Sequence, residues 1–218
     1  MHIHNLSNIN SIINNFIFEI RDVSIQNDSM RFRRNIERIG EVLSYEMSKT
    51  LHYKAINAQT PLGDSKLNVV KDAIVICSVL RAGLPLHNGV LNYFDKAENA
   101  FISAYRHHLN DKDFEIVVEY IASPNLQDKT LLLVDPMLAS GKSLALTYEA
   151  LKSHGNPKEI HILSVIGAEA GIDYVKDVFP ENTHLWIATI DKTLNDKGYI
   201  VPGLGDAGDL AFGNKLRH

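Results

Sequence analysis

Between residues 73 and 190 the chain carries five short apolar runs rich in Val and Ile, and these constrain its fold more than any other feature. They cover residues 73–79, 100–105, 130–134, 159–166 and 184–190. Runs this short, with little polar alternation, suit strands buried on both faces. Helical patterns separate them: 85–93 follows the first run, 143–154 follows the third and stops at Gly155, and 171–178 follows the fourth and stops near Pro180. Strands that alternate with helices predict an α/β fold, a mostly parallel sheet flanked by helices. Upstream, Phe32, Ile36, Ile39, Leu43 and Met47 recur at steps of three or four. They define one face of a helix laid on the core, with Asp28 or Ser29 as its cap.

Two stretches break this rhythm. Residues 114–120 alternate partly like an exposed strand, and the polar, Asp/Asn-rich stretch 107–113 before them reads as a mobile loop. Together they predict a flexible β-hairpin flap. After Asp191, glycines at 198, 203, 205, 208 and 213 are spaced too closely for a helix or strand, which predicts an irregular C-terminal segment. At 218 residues the expectation is one domain, with an N-terminal helical region at 1–65, a parallel α/β core at 66–190 and a tail at 191–218.

The formal net charge of −4 argues against a surface built to neutralise nucleic-acid phosphates, and still permits a local basic pocket for a small anion. Cys77 is the single cysteine and lies within an apolar run, so it can neither pair within the chain nor build a metal cluster. It reads as an inert core thiol. No basic n-region opens the sequence, and the apolar stretch 9–20 is broken by Asn10, Asn14, Asn15 and Glu19. No run approaches the roughly 20 residues that cross a bilayer. The expectation is a cytoplasmic, reducing compartment, with neither membrane nor nucleic acid as a partner.

The chemistry concentrates where the third run ends. Leu131-Leu132-Leu133-Val134 reads as a buried strand, Asp135-Pro136-Met137-Leu138-Ala139-Ser140-Gly141-Lys142-Ser143 as a turn, and the following residues as a helix. A helix N-terminus leaves amide N–H groups unpaired at the positive end of its dipole, so a phosphate finds donors already aimed at it. Ser140 and Ser143 add hydroxyls, and Gly141 lets the backbone come close. Asp135, at the carboxyl end of the strand, offers a carboxylate that can accept from two neighbouring hydroxyls. Phosphate at one end and a diol at the other describe a ribose 5-phosphate. The rival is a P-loop nucleotide kinase, because Pro136-x-x-x-x-Gly141-Lys142-Ser143 differs from that motif only in its first residue. Proline, with fixed φ and no N–H, imitates the missing glycine poorly.

The segment 134–143 resembles the phosphoribosyl-pyrophosphate loop of uracil phosphoribosyltransferases, in which proline replaces the second acidic residue of the wider family's motif. Leu80-Arg81-Ala82-Gly83-Leu84 is similar to the family's pyrophosphate-side loop. Gly198-Tyr199-Ile200-Val201-Pro202-Gly203-Leu204-Gly205-Asp206-Ala207-Gly208-Asp209 is similar to its uracil-binding segment. Arg21-Asp22, Phe32-Arg33 and Thr60-Pro61-Leu62 resemble its N-terminal region, so the likeness covers nearly the whole chain. The resemblance implies a phosphoribosyltransferase-like fold and the conversion of uracil and 5-phospho-α-D-ribose 1-diphosphate to UMP and diphosphate, assisted by Mg²⁺.

The same resemblance assigns catalytic positions to Arg81, Arg106, Asp135 and Asp206. It places the ribosyl donor on Arg81, Arg106, Asp135, Pro136, Met137, Leu138, Ala139, Ser140, Gly141, Lys142, Ser143 and Asp206, and uracil on Tyr199, Ile200, Gly205, Asp206 and Ala207. The metal is held mainly through substrate, with no dedicated protein ligand. A homodimer or larger homo-oligomer is implied, and some members respond to GTP. Three positions depart from the family's usual residues: Lys142 stands for Gly, Ser140 for Thr, and Leu210 for Arg. A further alternative is an RNA-binding pyrimidine regulator on the same scaffold, against which the acidic balance and the lack of a basic-aromatic stripe both speak. Adjacent His107 and His108 point apart on a strand or loop and read as solvated, while His2, His4 and His218 near the termini carry no signal.

Overall fold

The computed structural model describes residues 1–108 and 114–216, with side chains outside 104–118. The chain opens with strand β1 (His2–Asn5) and helices α1 (Ile13–Arg21) and α2 (Ser29–Ser48), followed by β2 (Tyr53–Thr60) and β3 (Gly63–Val70). The core then runs β4 (Ile74–Leu80), α3 (Gly83–Leu91), β5 (Glu98–His108), β6 (Phe114–Ala122), β7 (Thr130–Val134) and β8 (Met137–Leu138). It continues with α4 (Lys142–Leu151), β9 (Glu159–Ala168), α5 (Glu169–Val178) and β10 (His184–Asp191). The tail contributes β11 (Thr193–Leu194), β12 (Ile200–Val201) and α6 (Ala207–Phe212).

Each of the five apolar runs is a strand, and they lie in one sheet ordered β1-β10-β9-β7-β4-β5-β6, with β8 paired to β9. All neighbours are parallel except β5 and β6, which form the expected hairpin. The tip of the predicted flap, 109–113, and the side chain of Arg106 fall outside the described residues. Alternate residues of each central strand enter opposite faces. Ile74, Ile76, Leu132 and Val134 join α1, α2 and α3 on one side. Val75, Cys77, Leu131 and Leu133 join α4 and α5 on the other. Double-sided burial explains why these runs lack polar alternation. Cys77 is wholly buried, and desolvation pushes its thiol up to about 12, so it stays protonated and inert.

The stripe on α2 is buried as expected, and Asp28 caps the helix by accepting from the Arg31 amide at 3.0 Å. Other readings need correction. The first 65 residues hold more than helices: β1 adds a parallel edge to β10, and most of the exposed β2–β3 hairpin lies there too. None of these three strands shows as an apolar run, because none has a fully buried residue. His2 and His4 do carry structure, since His4 stacks on Trp186 at 3.7 Å between ring centroids and its Nε2 lies 3.0 Å from His184 Nδ1. The tail is not wholly irregular either. Asp206 accepts from the Asp209 amide at 3.0 Å and caps α6, which accommodates Gly208 within it. Among the described residues, no helix is long and apolar enough to cross a membrane.

Candidate active site

Chain direction in the sheet locates the site. From β4 the chain passes through α3 to β5 on one side, whereas β7, β9 and β10 succeed one another on the other side of β4. The carboxyl ends of β4 and β7 therefore diverge at a topological switch point, where open α/β sheets leave a crevice. The 80–84 loop and the 135–143 segment emerge there side by side. A Cβ at Gly83 would lie 3.1 Å from the Val134 carbonyl, so the approach admits little more than glycine.

The phosphate segment is more ordered than a plain turn. The Pro136 carbonyl accepts from the amides of Val165 at 3.1 Å and Ile166 at 3.0 Å, and Met137 and Leu138 pair with Ile166 and Gly167 as β8. Buried Ser164 donates to the Asp135 carbonyl at 2.7 Å. This anchoring fixes Pro136, Met137 and Leu138 as a base and leaves 139–143 as the turn proper. It also separates the segment from a P-loop, whose corresponding residues curl around phosphate. Gly141 takes φ +76 as the residue before α4, whose N-terminus has no side-chain cap. Behind the turn, Gly171 of α5 packs so closely that a Cβ there would meet the Ala139 carbonyl at 2.0 Å. Sequence reasoning missed Ser164 and Gly171, since neither belongs to the loop itself.

Asp135 is buried at the end of β7, where its Oδ1 accepts from the Met137 amide at 3.1 Å. Desolvation pushes its carboxyl up to about 6 against the lowering effect of that amide. It thus has unused acceptor capacity for ligand hydroxyls. Arg81 lies after β4, beyond a cis Leu80–Arg81 peptide, and donates to Asp209 Oδ1 at 3.2 Å. Asp206 is next to it: a Cβ on Gly208 would lie 3.2 Å from Asp206 Oδ1 and 3.9 Å from Arg81 Nη2. Burial opposes ionisation of Asp206, but the Asp209 amide and the Lys215 ammonium at 3.0 Å hold its carboxyl below the usual range. Asp209 and Lys215 were not among the residues expected at the site, although Asp209 ends the quoted motif.

The tail folds into the same region. Ile200, Leu204 and Ala207 are buried in one cluster with Val134, Val165 and Ala168. Ile200 pairs with Leu194, Val201–Pro202 is cis, and Gly203 and Gly205 take φ +61 and +90. Tyr199 is half-buried, its amide donating to Asn195 Oδ1 at 3.0 Å. Arg21, Gln26 and Asp191, also absent from the sequence expectations for the site, support this turn from outside. Among the described residues no group of three His, Cys, Asp or Glu side chains could hold a metal ion. Arg81, Asp135, the 139–143 turn, Asp206 and the 199–207 turn are thus gathered at one end of the sheet, and Arg106 reaches that end through the backbone of β5, opposite Ile116.

The family model for uracil phosphoribosyltransferase matches residues 10–214. A uracil phosphoribosyltransferase of Porphyromonas gingivalis is 53% identical over 216 residues, covering 99% of this chain and all of the relative. One of Pyrococcus furiosus is 39% identical over 202 residues, covering 91% of this chain and 85% of the relative. Among solved structures, a protein of Aquifex aeolicus superimposes with a TM-score of 0.87 at 28% identity, covering 99% of this chain and all of its own. A hypoxanthine phosphoribosyltransferase of Staphylococcus aureus shares the fold at 13% identity, with a TM-score of 0.51 and coverage of 85% and 84%. With the family model matching most of its length and these relatives spanning nearly all of it, the chain belongs to the uracil phosphoribosyltransferase family.

Proposed function

We propose that this chain transfers the 5-phosphoribosyl group of 5-phospho-α-D-ribose 1-diphosphate to N1 of uracil, giving UMP and diphosphate in pyrimidine salvage. The observation that carries the reading is the convergence at one switch-point crevice of an anion-binding turn, a free-sided buried carboxylate, an arginine and a glycine-rich turn. The amides and hydroxyls of 139–143 take the 5′-phosphate, and Asp135 accepts from the ribose 2′- and 3′-hydroxyls. Arg81 exchanges Asp209 for the diphosphate. Backbone groups of Ile200, Gly205 and Ala207 meet uracil O4 and N3–H, with Tyr199 alongside. Cytosine reverses both of those groups, so it would leave buried partners unpaired and be rejected.

Displacement at C1′ forms the N1–C1′ bond and breaks the C1′–O bond through a state with oxocarbenium character, while the N1 proton of uracil passes to solvent or to the departing diphosphate, on which negative charge grows. Arg81 and Arg106 stabilise that charge, and Arg106 arrives with the β5–β6 hairpin as it closes over substrate. Asp206 orients the donor beside Arg81. Mg²⁺ prefers oxygen ligands and would be held chiefly by diphosphate and ribose oxygens, with Asp209 and Asp206 the carboxylates beside Arg81. When bound, the ion neutralises part of the leaving group's charge. A homo-oligomer in the cytoplasm, with GTP as a candidate effector, completes the proposal, as does a single domain over 1–218.

The test is direct. Protein, Mg²⁺, labelled uracil and the ribosyl donor are expected to yield labelled UMP, with cytosine, orotate and guanine competing poorly. No UMP, or equal use of cytosine, would overturn the reading.

A further inference from the structure

The glycine-rich turn has little secondary structure of its own, since β11 and β12 are two residues each and pair only with each other. A base reader made of backbone groups nevertheless needs those groups fixed within a fraction of an ångström. An ion pair from two distant elements supplies that constraint. Arg21 ends α1 and Asp191 ends β10. Their contact is bidentate, Arg21 Nη2 to Asp191 Oδ1 at 2.9 Å and Nη1 to Oδ2 at 3.0 Å, and their side chains are 22% and 8% exposed.

Both partners also hold one residue of the turn, each by the peptide group on one side of it. The Gly203 amide donates to Asp191 Oδ2 at 2.9 Å, while Arg21 Nη1 reaches the Gly203 carbonyl at 3.4 Å. Gln26, five residues after Arg21, donates to the Leu204 carbonyl at 3.3 Å and to the Arg21 carbonyl at 3.0 Å, tying the next peptide to the same strut. Gly203 itself, at φ +61, sits so tightly over Ile200 that a Cβ would lie 2.0 Å from the Ile200 carbonyl. Whatever fixes Gly203 therefore fixes Ile200. The planar guanidinium fork matches a carboxylate in one orientation only, which makes this pair a directional support rather than a mere charge contact.

We infer that Arg21 and Asp191 are positioning residues for base recognition: they hold the two peptide groups that flank the Gly203 Cα, and with them the uracil-reading turn, without touching substrate. This rests on the proposed uracil reading. It separates the two substrates kinetically, because the strut reaches the tail and none of its bonds reach the 135–143 segment.

The experiment measures KM for uracil and for the ribosyl donor, with kcat, in wild type, Asp191→Asn and Arg21→Lys. Asp191→Asn keeps shape but loses the ionic fork, and the uracil KM should rise roughly 10- to 100-fold while the donor KM stays within about 2-fold. Arg21→Lys keeps the charge without the fork, and a rise of about 3- to 10-fold is expected. Thermal melts accompany each variant. A lowered Tm with an unchanged uracil KM, or an equal rise in both KM values, would overturn the positioning role. If Asp191→Asn does not fold, Arg21→Lys decides by the same criteria. Wild type that forms no UMP would sink the uracil reading itself, whereas active wild type with unaltered uracil KM in the variants sinks only this inference.

Discussion

On the phosphate side of the crevice, one continuous stretch from β7 through β8 to α4 supplies the proposed contacts, and the sheet and helix that flank the turn hold it. On the base side, the turn at 199–207 has scant regular structure and is held by side chains up to 182 residues away in the chain. The first kind of site draws its rigidity mainly from backbone hydrogen bonding, supplemented by the Ser164 hydroxyl on the Asp135 carbonyl. The second depends on particular side chains, so single substitutions far from the turn should reach it selectively. Each side nonetheless contains one backbone contact closed to a side chain, and these offer the strongest way to break the comparison.

Gly171→Ala should have the largest effect. Its Cβ would lie 2.0 Å from the Ala139 carbonyl, a contact that backbone must yield to, and either α5 or the 139–143 turn must shift. A displacement near 1 Å in a positioning element costs about 100-fold, so kcat/KM for the ribosyl donor should fall by at least that factor. Gly203→Ala meets the Ile200 carbonyl at the same 2.0 Å and also strains φ at +61. It should raise the uracil KM by about 10- to 100-fold while sparing the donor KM. Steady-state kinetics with each substrate varied in turn would show whether the two glycines separate. Equal damage to both KM values by either variant would mean the two sides move as one body.

The carboxylates of the two sides should titrate in opposite senses. Asp135 is buried with its carboxyl pushed up to about 6, above its ordinary value of 3.8. Between those values the folded state holds more protons than the unfolded one, so stability falls as pH rises through this window and stays lower above it. Asp135→Asn should therefore stabilise the protein at pH 8 by on the order of 2 kcal/mol, and by little at pH 4. In wild type, kcat/KM for the donor should decline below about pH 6 as Asp135 takes up a proton, and that limb should vanish in the variant with its activity. Asp206 is held below the usual range instead. Its contribution is present above the unfolded pKa and lost as pH falls through the folded one, so Asp206→Asn should destabilise at neutral pH. Urea melts across pH 4–8 distinguish the two variants, and like slopes for both would refute the contrast.

What the sequence revealed follows the same division. The central strands were legible because burial on both faces leaves an unbroken apolar run, as in Leu131-Leu132-Leu133-Val134. The phosphate turn was legible because strand, glycine and helix are contiguous. β1 escaped notice because its His2 and His4 find their partners, His184 and Trp186, only across the sheet. The hairpin of β2 and β3 is largely exposed, so selection for a buried face left no pattern to read. On the base side, family likeness pointed to Ile200, Gly205, Asp206 and Ala207 as the proposed uracil contacts, but periodicity could not show that Arg21 and Asp191 converge on Gly203. Such convergence is set by where α1 and β10 end in space. The helix at 207–212 was hidden by Gly208, which lowers helix propensity yet sits where a Cβ would crowd Asp206 Oδ1 at 3.2 Å.

The smallest expected effect concerns Lys142, which departs from the family's usual glycine on the phosphate side. It is exposed at the first position of α4, directly after Gly141. A cation there opposes the positive end of the helix dipole, so without ligand it contributes a slight repulsion. With a phosphate at the turn the balance reverses, since the ammonium then faces an anion in a partly solvated setting where such contacts are worth about 0.2–1 kcal/mol. Lys142→Gly should thus raise the donor KM by about 2- to 5-fold and leave the uracil KM unchanged, with the difference shrinking as salt is raised toward 1 M. A salt-independent rise would assign the effect to the backbone freedom of glycine instead, because screening acts on charge and not on φ and ψ. A fall in donor KM would mean that the side chain obstructs the turn, and the phosphate side would then depend on a particular side chain much as the base side does.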